Sequence, residues 1–316
     1  MSVGLMAAVA AGLLAGATPS STELTALGPN GPLGGTLLDA GAGRPVVLIV
    51  PGSGPTDRDG NSPAGVAAST YRLLAEGLAA RGVSTIRIDK RGMFGSAAAV
   101  PDANAVTVAD YASDVHAWIG AARARTGARC VWVLGHSEGG LVALAAARRP
   151  QGICGLVLVA APGRPMGAII REQLRANPAN APLLAQAEWT LRTLEAGGGV
   201  DTAALHPALA GLFAAPVQGF IRSLLAVDPG KLVAAYRGPV LIVQGARDLQ
   251  VGAADARELA TANPRARIAI VENANHVLKS VPTGDRAANL ATYTDPVLPL
   301  APGVVEPIAA FVGAKP

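Results

Sequence analysis

An α/β fold on a mostly parallel sheet, flanked by helices, is predicted by three observations. Short β-branched runs alternate with helical periods along most of the chain. Some of these runs are apolar without a break, as in Val46–Val50 (VVLIV), which marks strands covered on both faces. A Gly-x-Ser-x-Gly turn also stands between one such run and an Ala/Leu-rich helix. Alternation of this kind implies βαβ units with right-handed crossovers.

The elements follow in order. Gly34–Asp39 reads as a short strand, and Val46–Val50 as a buried one ending at Pro51-Gly52. The spacing predicts a helix over Tyr71–Arg81, stopped by Gly82, then a strand over Ser84–Asp89. Val108–Arg125 is a long helix closed by Gly127. Strand Val131–Gly135 is followed by helix Leu141–Arg149, which Pro150 ends, and by strand Leu156–Ala160. Strands Val240–Gln244 and Arg267–Val271 flank a helix at Ala253–Ala262, and a last helix lies near Val304–Val312. One stretch breaks the alternation. Between Pro162 and Gly238 only helical segments are expected: Ile169–Arg175, Leu183–Leu194, Ala203–Leu212 and Phe220–Leu225. The predicted organisation is a core of 24–162 and 238–316, carrying an inserted helical cap over 163–237 with a flexible joint at Gly197–Gly199.

Composition narrows the function classes. The 316 residues are 50% hydrophobic and 15% charged, which excludes a disordered chain. Aromatics are only 3%, so the core is built from Ala, Val, Leu and Ile. The net charge of +4 comes from cations scattered along the chain, without the basic stripe of a nucleic-acid reader. Two cysteines exclude a multi-Cys zinc site or a disulfide scaffold. Cys130 and Cys154 each open a strand that neighbouring pairing can bring together; an exported protein could oxidise them, while buried free thiols are the more frequent outcome for cysteines inside a core. The apolar run Leu5–Leu14 followed by Ala15-Gly16-Ala17 reads as a secretory leader over 1–17, although no Lys or Arg precedes it. Export to the periplasm or the medium is the matching expectation, with a cytoplasmic protein as the alternative. Beyond it, no run of 18 uninterrupted apolar residues predicts a membrane span.

The chemistry centres on Gly135-His136-Ser137-Glu138-Gly139-Gly140. A sharp strand-to-helix turn forces unusual backbone angles on the serine, and glycine two residues to either side lets the chain pack closely. A serine hydroxyl is a weak nucleophile at neutral pH and needs a base, itself oriented by an acid. In a fold of this kind the order is serine, acid, histidine. Asp248 follows the strand Val240–Gln244, and His276 follows Arg267–Val271. Both positions fall at the sheet edge that carries Ser137. His116 lies inside a helix, His136 inside the turn and His206 in the cap, which leaves His276 as the base. Rivals to Asp248 are Asp255 and Glu272, while Asp201 and Asp228 lie in the cap. Two backbone N–H groups are expected to hold the oxyanion, those of Glu138 and of Ser53 in the loop after Val50.

These segments resemble the α/β-hydrolase superfamily, and within it bacterial serine esterases of the group that includes serine aminopeptidase-like and acylglycerol-lipase-like hydrolases. The matching residues are Gly34–Leu38, Pro51–Gly60 (PGSGPTDRDG), Asp89–Ser96 (DKRGMFGS), Gly135–Gly140, Gly245–Asp248 and Asn275–Lys279. The resemblance implies an α/β-hydrolase fold and a serine carboxylic-ester hydrolase that needs no metal or organic cofactor. The loop opens on Pro51, where many members carry histidine. Arg91 is usually structural near the site, with Arg58 and Asp59 as its expected partners.

The expected substrate is a small acyl ester. Its acyl group would rest against cap residues such as Trp189, Leu212, Phe213 and Phe220, which are equally good candidates for ordinary cap core. The triad alone does not separate esters from amides, and a non-catalytic binding protein on the same scaffold is the remaining alternative.

Overall fold

The computed structural model describes residues 20–314. The expected leader over 1–17 lies outside them. The main sheet has eight strands: β1 Ser20–Gly28, β2 Gly31–Asp39, β3 Val46–Val50, β4 Ser84–Ile88, β5 Val131–His136, β6 Ile153–Val159, β7 Val240–Gly245 and β8 Arg267–Val271. Their spatial order is β1-β2-β4-β3-β5-β6-β7-β8. Only β1 with β2 and β2 with β4 pair antiparallel; every other pair is parallel.

The apolar runs explain why the sheet is buried on both sides. Side chains alternate across a strand. Accordingly Val46, Leu48 and Val50 join one apolar cluster, and Val47 and Ile49 the other. The first face is covered by helices α2 (Val108–Thr126), α3 (Glu138–Ala146), α8 (Pro229–Ala235) and α9 (Ala253–Ala262), which contribute Trp118, Leu141, Val233 and Leu259. The second is covered by α1 (Thr70–Ala79) and α11 (Val305–Gly313) through Leu74, Leu78, Ile308 and Phe311. Helix α2 starts at a reciprocal cap in which Thr107 and Asp110 each bond the other's backbone.

Register then places the site. Val50 pairs with Gly135, His136 with Val159, Val159 with Val243 and Gly245 with Val271. The carboxyl ends of β3, β5, β6, β7 and β8 therefore finish along one line, and their loops share one edge.

Three expectations are corrected. Cys130 and Cys154 form a disulfide rather than remaining free thiols. Parallel pairing shifts register between Val131/Ile153 and Trp132/Gly155, leaving Cys154 as the extra residue beside Cys130. Gly197–Gly199 is a helix stop rather than a joint. Gly197 (φ 83°) and Gly198 donate back to the carbonyls of Leu194 and Thr193, and Arg222 donates to the Gly198 carbonyl. Finally, β1 and the helices α8 and α10 (Arg286–Ala291) were not expected at all.

Residues 163–237, the expected insertion, contain α4 (Met166–Arg175), α5 (Leu184–Glu195), the single-turn α6 (Pro207–Ala210) and α7 (Gln218–Leu225) ahead of α8. They have an apolar cluster of their own around Leu191, Leu194, Leu209 and Phe213. The stretch Pro207–Leu225 is long and apolar enough to cross a membrane. It is broken, however, into α6, a 3-10 turn and α7. The longest of these pieces, at 8 residues, spans about 12 Å against about 30 Å of bilayer core.

Candidate active site

The turn between β5 and α3 holds Ser137 at φ 54°, ψ −125°, a region that costs on the order of 1–3 kcal/mol for a residue with a side chain. The surrounding glycines show what over-determines it. A Cβ on Gly135 would stand 2.2 Å from the Gly139 carbonyl oxygen, and one on Gly139 would stand 2.3 Å from that of Val50. Strand, helix and the loop after β3 thus meet backbone to backbone. The Ser137 N–H continues the sheet by donating to Val159 O at 2.9 Å.

His276 sits in the loop after β8, with its Nδ1 2.8 Å from Asp248 Oδ2. Asp248 follows β7, and its side chain is fully buried. Its other oxygen accepts from the N–H groups of Gln250 and Val251 at 2.8 and 3.0 Å. Burial works to raise this carboxyl, but His276 and the two N–H donors outweigh it and hold it below the ordinary carboxylate range. Asp248 therefore stays ionised beside the imidazole. The rival Asp255 is also fully buried, but it serves the insertion: it accepts from Gly163 N, Arg164 N and the Arg164 guanidinium at 2.7–3.2 Å. His116 bonds the Ala146 carbonyl inside the helical layer, and His206 caps α6.

Ser137, His276, Ser53 and Gly52 line one cavity of about 130 Å³. The remaining lining comes from the loop and helix after β3 (Thr56, Gly60, Val66, Thr70, Tyr71) and from His136, Gln250, Val277 and Tyr293. Among the described residues, the N–H groups of Ser53 and Glu138 have no protein acceptor. They are free donors beside the serine.

The expected acyl wall is corrected here. None of Trp189, Leu212, Phe213 and Phe220 lines this cavity. Phe213 is fully buried in the insertion's own cluster, and Trp189 and Leu212 are exposed. Phe220 stacks edge-on against Tyr111 of α2 at 5.8 Å. The large apolar groups of 163–237 that are buried are taken up by its own cluster and by the helical layer on the sheet, where Phe220, Leu224 and Val233 pack. Tyr293, from a segment that carried no expected element, takes that place and accepts from Gln250 Nε2 at 3.0 Å. Burial pushes its phenol up to about 12. The segment is docked by Asn275, whose amide donates to Asn289 Oδ1 at 3.1 Å and to Thr292 Oγ1 at 2.7 Å.

His136 and Tyr71 were also missed as parts of the site. His136 Nε2 lies 2.8 Å from the His276 carbonyl oxygen, so this nitrogen carries the proton and donates. Nδ1 then accepts from the Tyr71 hydroxyl at 3.0 Å, and Tyr71 Oη accepts from Gly52 N–H at 2.9 Å. Burial, helped by the neighbouring His276, drives His136 down to about 3 and keeps the ring neutral. The charged motif residues pair differently from expectation. Arg58 binds Asp89 and Glu23, Asp59 contacts Arg87, and Arg91 binds Asp114 at 2.5 and 2.7 Å and Asp110 at 3.3 Å. Among the described residues, no group of three His, Cys, Asp or Glu side chains is placed to hold a metal ion.

This geometry fits what known proteins show. Residues 46–292 match the family model described as alpha/beta hydrolase family. The chain belongs to the alpha/beta hydrolase family. It is 27% identical over 268 residues to esterase EstD of Thermotoga maritima, an alignment covering 83% of this chain and 61% of that protein. The chain thus spans under two thirds of that relative. Two solved structures share its fold. An esterase of Pyrococcus furiosus, Pf2001, superposes with a TM-score of 0.57 at 17% identity, covering 82% of this chain and 84% of that one. Est1E of Butyrivibrio proteoclasticus, described with ferulic acid bound, gives 0.55 at 18%, covering 90% and 96%.

Proposed function

We propose that this chain is a serine hydrolase of carboxylic esters with small acyl groups. The observation that carries the reading is the juxtaposition of Ser137, on its strained turn, with the His276–Asp248 pair and two free N–H donors around one cavity. Its similarity to an esterase over 83% of the chain supports the same class.

In the proposed reaction Ser137 Oγ attacks the ester carbonyl carbon as its proton passes to His276 Nε2. Asp248 holds the imidazole by Nδ1 and stabilises its cationic form. The N–H groups of Ser53 and Glu138 receive the negative charge on the carbonyl oxygen. The tetrahedral species collapses, the alcohol leaves with the proton from His276, and an acyl-enzyme remains. Water, deprotonated by the same imidazole, attacks the acyl carbon; collapse releases the acid and returns the proton to Ser137. A cavity of about 130 Å³ holds roughly four waters' worth of liquid volume and falls below the ~300 Å³ common for ligand pockets. Short acyl chains fit that size.

The test is a fluorophosphonate probe together with p-nitrophenyl esters from acetate to palmitate and aminoacyl anilides. Labelling and turnover of the short esters, both abolished in Ser137→Ala, are expected. Anilide turnover far above ester turnover would move the enzyme to the amidases. Wild-type protein that neither labels nor turns over would leave the scaffold as a binding protein.

We also propose that the protein is exported, with 1–17 as a cleaved leader. The Cys130–Cys154 disulfide supports an oxidising compartment. N-terminal sequencing of the native protein checks this; a start at Met1 or Ser2 would sink it.

A further inference from the structure

Lys90 is a buried cation that the proposed chemistry leaves without a role. It follows β4, is 4% exposed, and its ammonium lies over the ring of Tyr111. Its Nζ donates to the Gly52 carbonyl oxygen at 2.7 Å and stands 3.5 Å from Glu138 Oε1, itself 2% exposed. An ammonium in such a place is costly unless it is paired and bonded. One partner is the carbonyl of the Gly52–Ser53 peptide, whose N–H is a candidate oxyanion donor, and the other is the side chain of the second donor residue, Glu138.

The peptide unit explains the connection. In a trans peptide the C=O of one residue and the N–H of the next are fixed in one plane and point in opposite directions. Holding the Gly52 carbonyl therefore fixes the direction of the Ser53 N–H. A cation on that carbonyl also polarises the amide and makes its N–H a stronger donor, since hydrogen bonds in series reinforce each other. The Gly52 N–H is separately tied to Tyr71, so this residue is gripped on both sides. The same ammonium stands 3.5 Å from the side chain of Glu138, the residue whose own N–H is the second donor.

We propose that Lys90 is a positioning residue that orients and polarises the Gly52–Ser53 peptide, so that the Ser53 oxyanion donor is set before substrate arrives. The inference rests on the ester-hydrolase reading above. Loss of one oxyanion donor outright costs about 10²–10³ in kcat. Lys90 aims a donor instead of supplying one, so about 10–100-fold is expected for Lys90→Met.

The experiment measures kcat, KM and the pH–rate profile on p-nitrophenyl acetate, with the affinity for a short trifluoromethyl ketone that forms a tetrahedral adduct on the serine. Lys90→Met is compared with Lys90→Met/Glu138→Gln, in which no buried charge is left unpaired. The expected result is a fall in kcat with KM within about 3-fold, an equal fall in ketone affinity, and an unmoved pH midpoint. A folded single or double variant with kcat within 3-fold of wild type would overturn the proposal. So would a rate loss without loss of ketone affinity, or one that shifts the pH midpoint. Failure of the charge-balanced double variant to fold would assign Lys90 to the fold and overturn it as well. Wild-type protein that fails to label with fluorophosphonate would instead overturn the hydrolase reading itself, and these outcomes are distinct.

Discussion

At the carboxyl edge of the sheet, buried polar side chains are bonded to backbone: Lys90 to Gly52, His136 to His276, and Asp248 to Gln250 and Val251. In 163–237 such groups are fewer, Gln218 bonding the backbone of Val200 and Phe213 and Thr190 that of Gln186. Its charges lie towards solvent, with Arg171 bridging Glu188 and Glu195, and its interior is Leu191, Leu194 and Phe213. The sheet edge uses hydrogen bonds to fix the direction of individual groups. The insertion uses apolar packing, which is non-directional and tolerates substitution of similar volume. Directional bonds fix the groups around the candidate cavity, and non-directional packing holds 163–237 together.

The largest way to break this contrast is at the acid. Asp248→Asn keeps the shape but loses the charge that orients His276, and kcat should fall by about four orders of magnitude. A loss below 10-fold, measured on p-nitrophenyl acetate, would show that the pair is structural.

Next in size is the disulfide, which ties the starts of β5 and β6 at the opposite end from Ser137. Closing a loop across a separation of 24 residues contributes about 3 kcal/mol. Reduction or Cys130→Ser should lower Tm by several degrees while kcat at 25 °C stays within about 2-fold. A matching loss of rate would show that the two ends of the strands are coupled.

The third effect depends on pH. The folded protein holds His136 near about 3 instead of 6.5. The unfolded chain therefore takes up a proton below pH about 6.5 that the native ring refuses. Stability is full above that pH and declines as pH falls towards 3, by up to about 1.4 kcal/mol per unit. Urea unfolding between pH 8 and 4 should show that slope, and His136→Gln should flatten it.

The smallest expected effect lies in the insertion. Trp189→Ala should leave the chain-length profile unchanged and kcat/KM within about 2-fold, because Trp189 is exposed and away from the cavity. Tyr293→Ala, by contrast, should extend turnover to longer acyl chains. An altered profile in Trp189→Ala would return the insertion to the substrate site.

How much of this was legible in the sequence can be argued from single residues. Ser137 stood out because its turn needs glycine at fixed positions, which is a local requirement. His276 and Asp248 stood out because strand ends in a parallel sheet share one edge, so position along the chain predicts position in space. Lys90 lay inside a recognised motif, DKRG, yet nothing local says that its ammonium reaches Gly52 on another loop. Tyr293 belongs to a segment without periodicity, so no pattern pointed to it.

The sequence by itself therefore determined seven of the eight strands, their order along the chain and the serine turn, because these follow from period, apolar runs and backbone sterics among near neighbours. Tertiary structure alone decided the Cys130–Cys154 pairing, the tautomer of His136, the partners of Arg58 and Arg91, and the walls of the cavity. Each of those is a contact across tens to hundreds of residues, set by strand register and by which buried polar group finds which partner.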